Sequence, residues 1–466
     1  MLNFYFYYFR FFSILISILC FLNILYSYYF DLYLNVNSYF YTLLISIIPL
    51  ISFFLKKKDT KIDIYSKIIT VILGYITLPI LLSLPYFFSI YNIPFLDCYF
   101  ESVSGFTSTG FTIFNNIKHL DESLILWRSS SQWIGGLYFL FSIILLIDIF
   151  DDNLKKTLTN FLAFNSAEIF KQSLKIFIIY SLFTLIIFII LNIFDFRSFI
   201  SLNLSMSIIS SGGFLPVNSL DTLLNTQTKI IVFSTLMLAS FFSLFFFYNL
   251  LYKKKGIKFI QEDIYLIIYL LILIFFFFLL TDKSVNFAVI FLSITSSISN
   301  IGVSLENIPN HLSFIFLILI IIGGSFFSTS SGLRFLKLLS LFKFSIKEIV
   351  SNAKPKNIFT NKLWFSDKTM ATSDFYKYFF TIIIFILSLI SLSSLLSIFN
   401  LSMENSFKLS ILTLMNTVNS PMTGLTSFDF DELAIFAKQS IIVFMIIGRV
   451  ELISILIILK KFLFKN

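Results

Sequence analysis

Charge is scarce in this chain of 466 residues: Asp, Glu, Lys and Arg make up 13%, whereas 58% of residues are hydrophobic and the mean hydropathy is +0.92. A water-soluble fold of this size could not hide so much apolar surface, so the solvent of the folded chain is lipid. Cysteine is almost missing as well. Cys20 and Cys98 lie in or beside apolar runs, which leaves neither a disulfide framework nor a cysteine metal site. The two histidines, His119 and His311, are isolated and carry no metal pattern. No G-x-x-x-x-G-K-[ST] loop occurs, so regulation by nucleotides has to come from another polypeptide. The apolar runs hold no His/Asp/Glu cluster and no nucleophile–base pair, so the chain is expected to have no catalytic residues, and a membrane enzyme is disfavoured. The net charge of +9 follows from membrane topology, which removes the case for a nucleic-acid partner.

Long apolar runs are abundant. Spans of about 20 residues, the length needed to cross a bilayer, are expected at 11–30, 39–55, 65–90, 124–149, 173–194, 228–251, 263–281, 312–342, 376–399 and 434–459. The apolar stretch 4–30 has no small-residue cleavage site after it and reads as a retained helix. Basic clusters set the orientation. Lys56-Lys57-Lys58, Lys155-Lys156, Lys253-Lys254-Lys255, Lys460-Lys461 and the lysine-rich 343–368 connection fall on one side, read as cytoplasmic together with both termini. Asp121-Glu122, Asp195, Glu306, Asp429 and Asp431-Glu432 fall on the other.

After the first two spans, the remaining eight form four pairs. Each pair encloses a short, semi-polar segment at 94–111, 198–214, 286–303 or 404–421. The chain enters and leaves each segment from the same outer side, which predicts a re-entrant helix and loop. Irregular backbone at membrane depth survives only where protein or a water-filled path surrounds it. The expected fold is therefore an all-α polytopic membrane protein: four pseudo-symmetric helix–pore loop–helix repeats around one central pore, plus two extra N-terminal transmembrane helices. The expected units are 1–62 for the N-terminal pair, then repeats at 63–157, 158–258, 259–370 and 371–466. Four extracellular loops resting on a helix bundle would explain the polarity, but not the recurring glycine followed by an apolar residue.

Specific motifs carry a resemblance. Phe100-Glu101-Ser102-Val103-Ser104-Gly105-Phe106-Thr107-Ser108-Thr109-Gly110 is followed by Trp127-Arg128-Ser129-Ser130-Ser131-Gln132-Trp133-Ile134-Gly135-Gly136. Further on come Ile322-Gly323-Gly324-Ser325-Phe326-Phe327-Ser328-Thr329 and Ile447-Gly448-Arg449-Val450-Glu451. In this order and spacing, from about residue 65 to the end, the chain resembles the TrkH/KtrB superfamily of potassium-translocating membrane subunits.

The resemblance implies a selectivity filter whose backbone carbonyls replace the water shell of K+. It places Ser108-Thr109-Gly110, Ser211-Gly212-Gly213, Asn300-Ile301-Gly302 and Val418-Asn419-Ser420 there, the last with a serine where a glycine is expected. That departure, with Pro421 after it, keeps Na+ open as a second transported ion. A turn glycine would explain each site alone; the aligned set favours the filter. No covalent cofactor is implied. Short helices ending at these loops would turn their negative dipole ends toward the cation. Gly323, Gly324, Ser325, Ser328, Thr329 and Gly332 match an intramembrane gating loop beneath the filter, poorer in glycine here and expected to be stiffer. Close helix packing through small residues is the alternative. Arg449 matches a pore barrier, against a packing ion pair with Glu451. Arg128 and Gln132 are expected to brace the loops, Glu101 to head the first pore helix, and Arg334 and Lys337 to lie at the cytoplasmic mouth. The resemblance further implies a homodimer in a bacterial plasma membrane, seated on cytoplasmic nucleotide-binding subunits of TrkA/KtrA type. Segment 343–368 and Lys155-Lys156 would be the docking surfaces. A sodium- or proton-coupled secondary transporter is the competing class; it would need ionisable groups at mid-membrane, which are scarce apart from Arg449.

Overall fold

The computed structural model describes residues 2–51, 64–146, 169–246, 261–280, 286–306, 308–351, 372–425 and 428–450. Among the described residues, two paired two-residue segments are the only strands and the rest of the regular structure is helical. In order it forms α1 (Leu2–Tyr29), α2 (Val36–Ile51), α3 (Ile64–Phe87), α4 (Phe95–Phe106), α5 (Glu122–Leu145), α6 (Ile169–Ile193), α7 (Ser198–Ile209) and α8 (Gln227–Phe241). There follow α9 (Gln261–Leu280), α10 (Phe287–Ile298), α11 (Ser313–Ile321), β1 (Ile322–Gly323), β2 (Leu333–Arg334), α12 (Phe335–Ser351), α13 (Thr372–Ile398), α14 (Met403–Leu414) and α15 (Ile435–Arg449).

Among the described residues, five helices carry continuous apolar spans, at Tyr8–Tyr29, Ile64–Phe87, Ser173–Ile193, Glu262–Leu280 and Phe375–Ile398, so the chain is a multi-pass membrane protein. Their outward faces are apolar and open: Ile178 is 61% exposed and Phe275 65%. In water such surface would be costly, but against lipid tails it is not. The run 312–342 is not one helix. Gly323-Gly324 and the serines after it lead the backbone out of helical geometry, and β1 pairs in parallel with β2, Ile322 opposite Leu333 and Gly323 opposite Arg334. The borders expected between the units fall outside the described residues, as do Lys56–Lys58, Lys155-Lys156, Lys253–Lys255, Lys460-Lys461 and Glu451.

Four helices of 12 residues stand apart: α4, α7, α10 and α14. Sequence starts and stops them. Asn286 caps α10 by accepting from the Ala288 amide, and Ser402 caps α14 by accepting from the Asn405 amide. All four end alike, one residue of each loop taking left-handed backbone: Ser108 (φ 59), Ser211 (φ 59), Asn300 (φ 58) and Asn416 (φ 48). The next amide then folds back five residues, as Thr109 to Ser104 O (2.9 Å), Gly212 to Ser207 O (2.8 Å), Ile301 to Ser296 O (3.1 Å) and Thr417 to Leu412 O (2.9 Å).

The helices around these loops close on one another in chain order. α5 packs on α7, α8 on α10, α11 on α14, and α15 returns to α4. The loop after α4 therefore faces the loop after α10 across the centre, and the loop after α7 faces the loop after α14. α1 and α2 pack on each other and on α3.

Candidate functional site

Counting from the left-handed residue fixes the register of the four central loops. Two residues on stand Gly110, Gly213, Gly302 and, in the fourth loop, Val418. This corrects the sequence alignment, which put Ser420 at the fourth glycine position. That alignment slid two residues because the loop continues through Pro421 into a single turn, Pro421–Thr423, that carries no glycine before Gly424. Ser420 lies outside the ring and accepts from Ser304 Oγ at 3.2 Å.

The ring is tight. A Cβ on Gly110 would stand 2.9 Å from Gly213 Cα, and one on Gly302 would stand 2.5 Å from Thr417 Cγ2 and 2.6 Å from Val418 O. A Cβ on Gly213 would stand 2.9 Å from Ile301 O. Gly110 (φ 83) and Gly302 (φ 84) are also left-handed, so both steric room and backbone angle demand glycine there.

Buried charge pairs hold this geometry. Glu101 does not head α4 as expected; it sits mid-helix, fully buried. Arg128 Nε donates to Glu101 Oε1 at 2.8 Å, and Thr112 Oγ1 and the Ile113 amide donate to the same carboxylate at 3.1 and 3.0 Å. The Arg128 guanidinium also lies 4.2 Å from the Phe214 ring centre, so one side chain ties the first loop to the second. Gln132, one turn further along α5, accepts from the Gly213 and Phe214 amides (3.2 and 3.1 Å) and donates to Ser207 Oγ (3.0 Å) when its amide is oriented to satisfy all three. A second buried pair, Lys438 Nζ to Asp97 Oδ1 at 2.5 Å, locks α15 to α4.

Beneath the ring lies the segment between β1 and β2. Its backbone is satisfied within the protein, as irregular backbone at this depth has to be. The Ser325 and Ser330 amides donate to Phe241 O and Ser240 O (3.0 and 3.1 Å), and the Phe326 amide donates to Glu262 Oε1 (2.7 Å). Glu262 and its neighbour Asp263, which accepts from the Ser243 amide at 3.0 Å, carry no signal in a hydropathy reading. Arg334 Nη1 donates to Ser325 O and Ser330 O at 3.1 and 3.0 Å, bracing the segment from inside. Arg334 and Lys337 are both buried.

The segment touches the ring directly. Thr329 Oγ1 donates to Ile209 O (2.7 Å) at the end of α7, and Ser331 Oγ donates to Asn416 Oδ1 (3.4 Å). Arg449, the last residue of α15, donates to Ser331 Oγ and reaches Ser108 Oγ (3.4 Å) and Ser210 O (3.5 Å). Its guanidinium lies 4.0 Å from the Phe139 ring centre. The positive group therefore sits at the carbonyl end of α7, where the helix dipole is negative.

Two cavities of unlike charge flank the ring. One, of about 360 Å³, is lined by Gly110, Gly213, Val418 and Ser420 and carries Asp221, Glu306 and Asp429, against a single cation, Arg128, that is paired with Glu101. The other, of about 40 Å³, is lined by Ser331, Arg334, Lys337 and Arg449. Acidic groups around a cavity draw cations toward it, and basic groups repel them.

Gly110, Gly213 and Gly302 meet at the ring, and Ser331 and Thr329 of the segment below contact the loops and helix ends around it. Sequence reasoning missed Asn416, whose Nδ2 donates to Thr109 Oγ1 (3.0 Å) and Met445 O (2.9 Å), and missed the partners of Glu101 and Lys438. The signal was present: a charge inside an apolar run needs a partner, and the scarcity of charges leaves few to choose from.

No family model matches the chain. It is 24% identical over 448 residues to the Trk system potassium uptake protein TrkG of Escherichia coli, covering 88% of each. It is 22% identical to the TrkH protein of the same organism, covering 81% of each. An uncharacterized cation transporter of Methanocaldococcus jannaschii is 24% identical over 338 residues, 69% of each chain. In three dimensions the chain matches the crystal structure of the potassium transporter TrkH from Vibrio parahaemolyticus with a TM-score of 0.79 over 97% of both chains, at 19% identity. The chain thus shares the TrkH fold over nearly its whole length and is similar in sequence to Trk system potassium uptake proteins over most of it.

Proposed function

We propose that this chain is the potassium-translocating, pore-forming subunit of a Trk-type uptake system, a transporter and not an enzyme. K+ passes from the acidic vestibule into the ring of the four loops, where carbonyls of residues 108–110, 211–213, 300–302 and 416–418 take over its hydration shell. The segment 323–332 is the gate below, and Arg449 is a fixed barrier beside it. The observation that carries this reading is the convergence of four equivalent left-handed loop turns on one ring. A soluble-type loop cluster has no reason to repeat that turn four times at the same distance from a helix end.

The four helix ends contribute about half an elementary negative charge each, which favours a cation on the axis. A family partner system on the cytoplasmic side supplies regulation; the chain itself carries no phosphate-binding loop. Pairing into a homodimer, a TrkA/KtrA-type nucleotide-binding partner and a bacterial plasma membrane belong to the same proposal.

The test is growth and 86Rb+ uptake at low potassium in cells without their own potassium importers. Wild type restores both, and Gly110→Asp, with equal protein in the membrane, restores neither. Uptake that Gly110→Asp leaves intact would remove the ring from the ion path.

A further inference from the structure

The ring is not fourfold, and its odd member is a valine. Gly110 and Gly302, opposite one another, are left-handed; Gly213 and Val418, the other opposite pair, are not. Val418 therefore bears a side chain without backbone strain, which Gly110 and Gly302 could not. Its Cβ occupies the space that a Cβ on Gly213 would need, closer than two such atoms can stand. One partner supplies the side chain and the other has to lack it. The isopropyl group consequently reaches from the fourth loop to the Gly213 backbone across the centre. It forms the floor of the acidic vestibule, and Val418 is only 9% exposed.

Resting on the pore reading above, we infer that Val418 is the constriction of this pore and its specificity-determining residue. An apolar group on the axis cannot replace water around a cation, and a narrow apolar neck sheds water. On the valine side the cation keeps only the carbonyls of residues 416–418, because the isopropyl group leaves no room for the water that would complete its shell. The Val418 amide is engaged too, donating to Ile301 O at 3.4 Å, so that carbonyl of the third loop is turned partly toward a protein donor. Three loops present a ring wall of bare backbone, and the fourth presents a methyl-bearing wall. Conduction is slow for every alkali cation, and discrimination among them is set by three sides instead of four.

The experiment uses purified full-length chain in proteoliposomes with an outward K+ or Na+ gradient, read by 86Rb+ and 22Na+ entry. Wild type, Val418→Gly, Val418→Phe, Ser420→Gly and Gly110→Asp are compared at equal incorporation, each checked for a monodisperse elution profile. Val418→Gly is expected to raise 86Rb+ entry roughly tenfold, the factor given by about 1.4 kcal/mol off the barrier. It also changes the Rb+/Na+ ratio, and Val418→Phe abolishes entry. Because Val418→Gly could loosen the loop, Gly213→Ala is the second probe. Alone it collides with Val418 and blocks entry, and in combination with Val418→Gly entry returns. If Val418→Gly leaves both rate and ratio unchanged while Gly110→Asp still blocks entry, the valine inference fails and the pore reading stands. If Ser420→Gly gives the gain in place of Val418→Gly, the inference is likewise overturned. If Gly110→Asp has no effect on entry, the pore reading fails and this inference with it.

Discussion

Replacing Glu101 by alanine removes the carboxylate that satisfies three donors in the first loop. Arg128 Nε (2.8 Å), Thr112 Oγ1 (3.1 Å) and the Ile113 amide (3.0 Å) all converge on it. Arg128 is 1% exposed at the edge of the larger cavity, so its charge keeps little contact with water. Breaking a buried pair in this way costs about 3–5 kcal/mol, most of it the price of the abandoned charge. The double variant Glu101→Leu, Arg128→Met removes both charges and replaces them with apolar groups of similar length. It is expected to lose less than Glu101→Ala, although Thr112 and the Ile113 amide still lack their acceptor. Unfolding in mixed detergent micelles with rising SDS, followed by tryptophan fluorescence, measures Glu101→Ala, Glu101→Leu, Arg128→Met and the double variant in one assay. The coupling energy from the cycle should reach about 2–3 kcal/mol, the upper part of the range for residues in direct contact. Additive single-variant losses, or a Glu101→Ala chain as stable as wild type, would refute the account of how α4 and α5 hold the first loop.

Three other perturbations test separate parts of the assembly. Gly302→Ala has to accept left-handed backbone at about 1–2 kcal/mol and also meet Val418 O and Thr417; uptake is lost while the protein still inserts, and unchanged uptake refutes the ring geometry. Arg449→Ala removes a repulsion of about 2–4 kcal/mol for a cation 4–8 Å away at an effective dielectric of 20. Cation entry then rises about tenfold or more, and a fall would mean that Arg449 works by packing alone. Glu262→Ala frees the Phe326 amide (2.7 Å) and loosens the segment below the ring; entry without the cytoplasmic partner increases, whereas Glu262→Gln, which keeps an acceptor, stays near wild type. Equal behaviour of the two variants in gated uptake would dismiss the anchor.

The sequence alone determined that this chain lives in lipid, because 58% hydrophobic residues with 13% charged ones admit no other solvent. Apolar run lengths located the spans, and small-residue turns located the four loops, since both signals are local. Gly110, Gly213 and Gly302 were legible because a glycine followed by an apolar residue repeats in register. The fourth loop was not legible in the same way. Its turn is made by Asn416, and a left-handed asparagine looks like any other polar residue until its φ is known. Alignment on Gly424 and the Arg449 signature therefore chose Ser420, and only the folded backbone moved the position to Val418. The partners of Glu101, Lys438 and Glu262 are 27, 341 and 64 residues away, so nothing in their neighbourhood announces them. Local chemistry decided where each helix begins and ends; closure of the ring, which brings four distant loops within van der Waals reach, decided which residue narrows the centre.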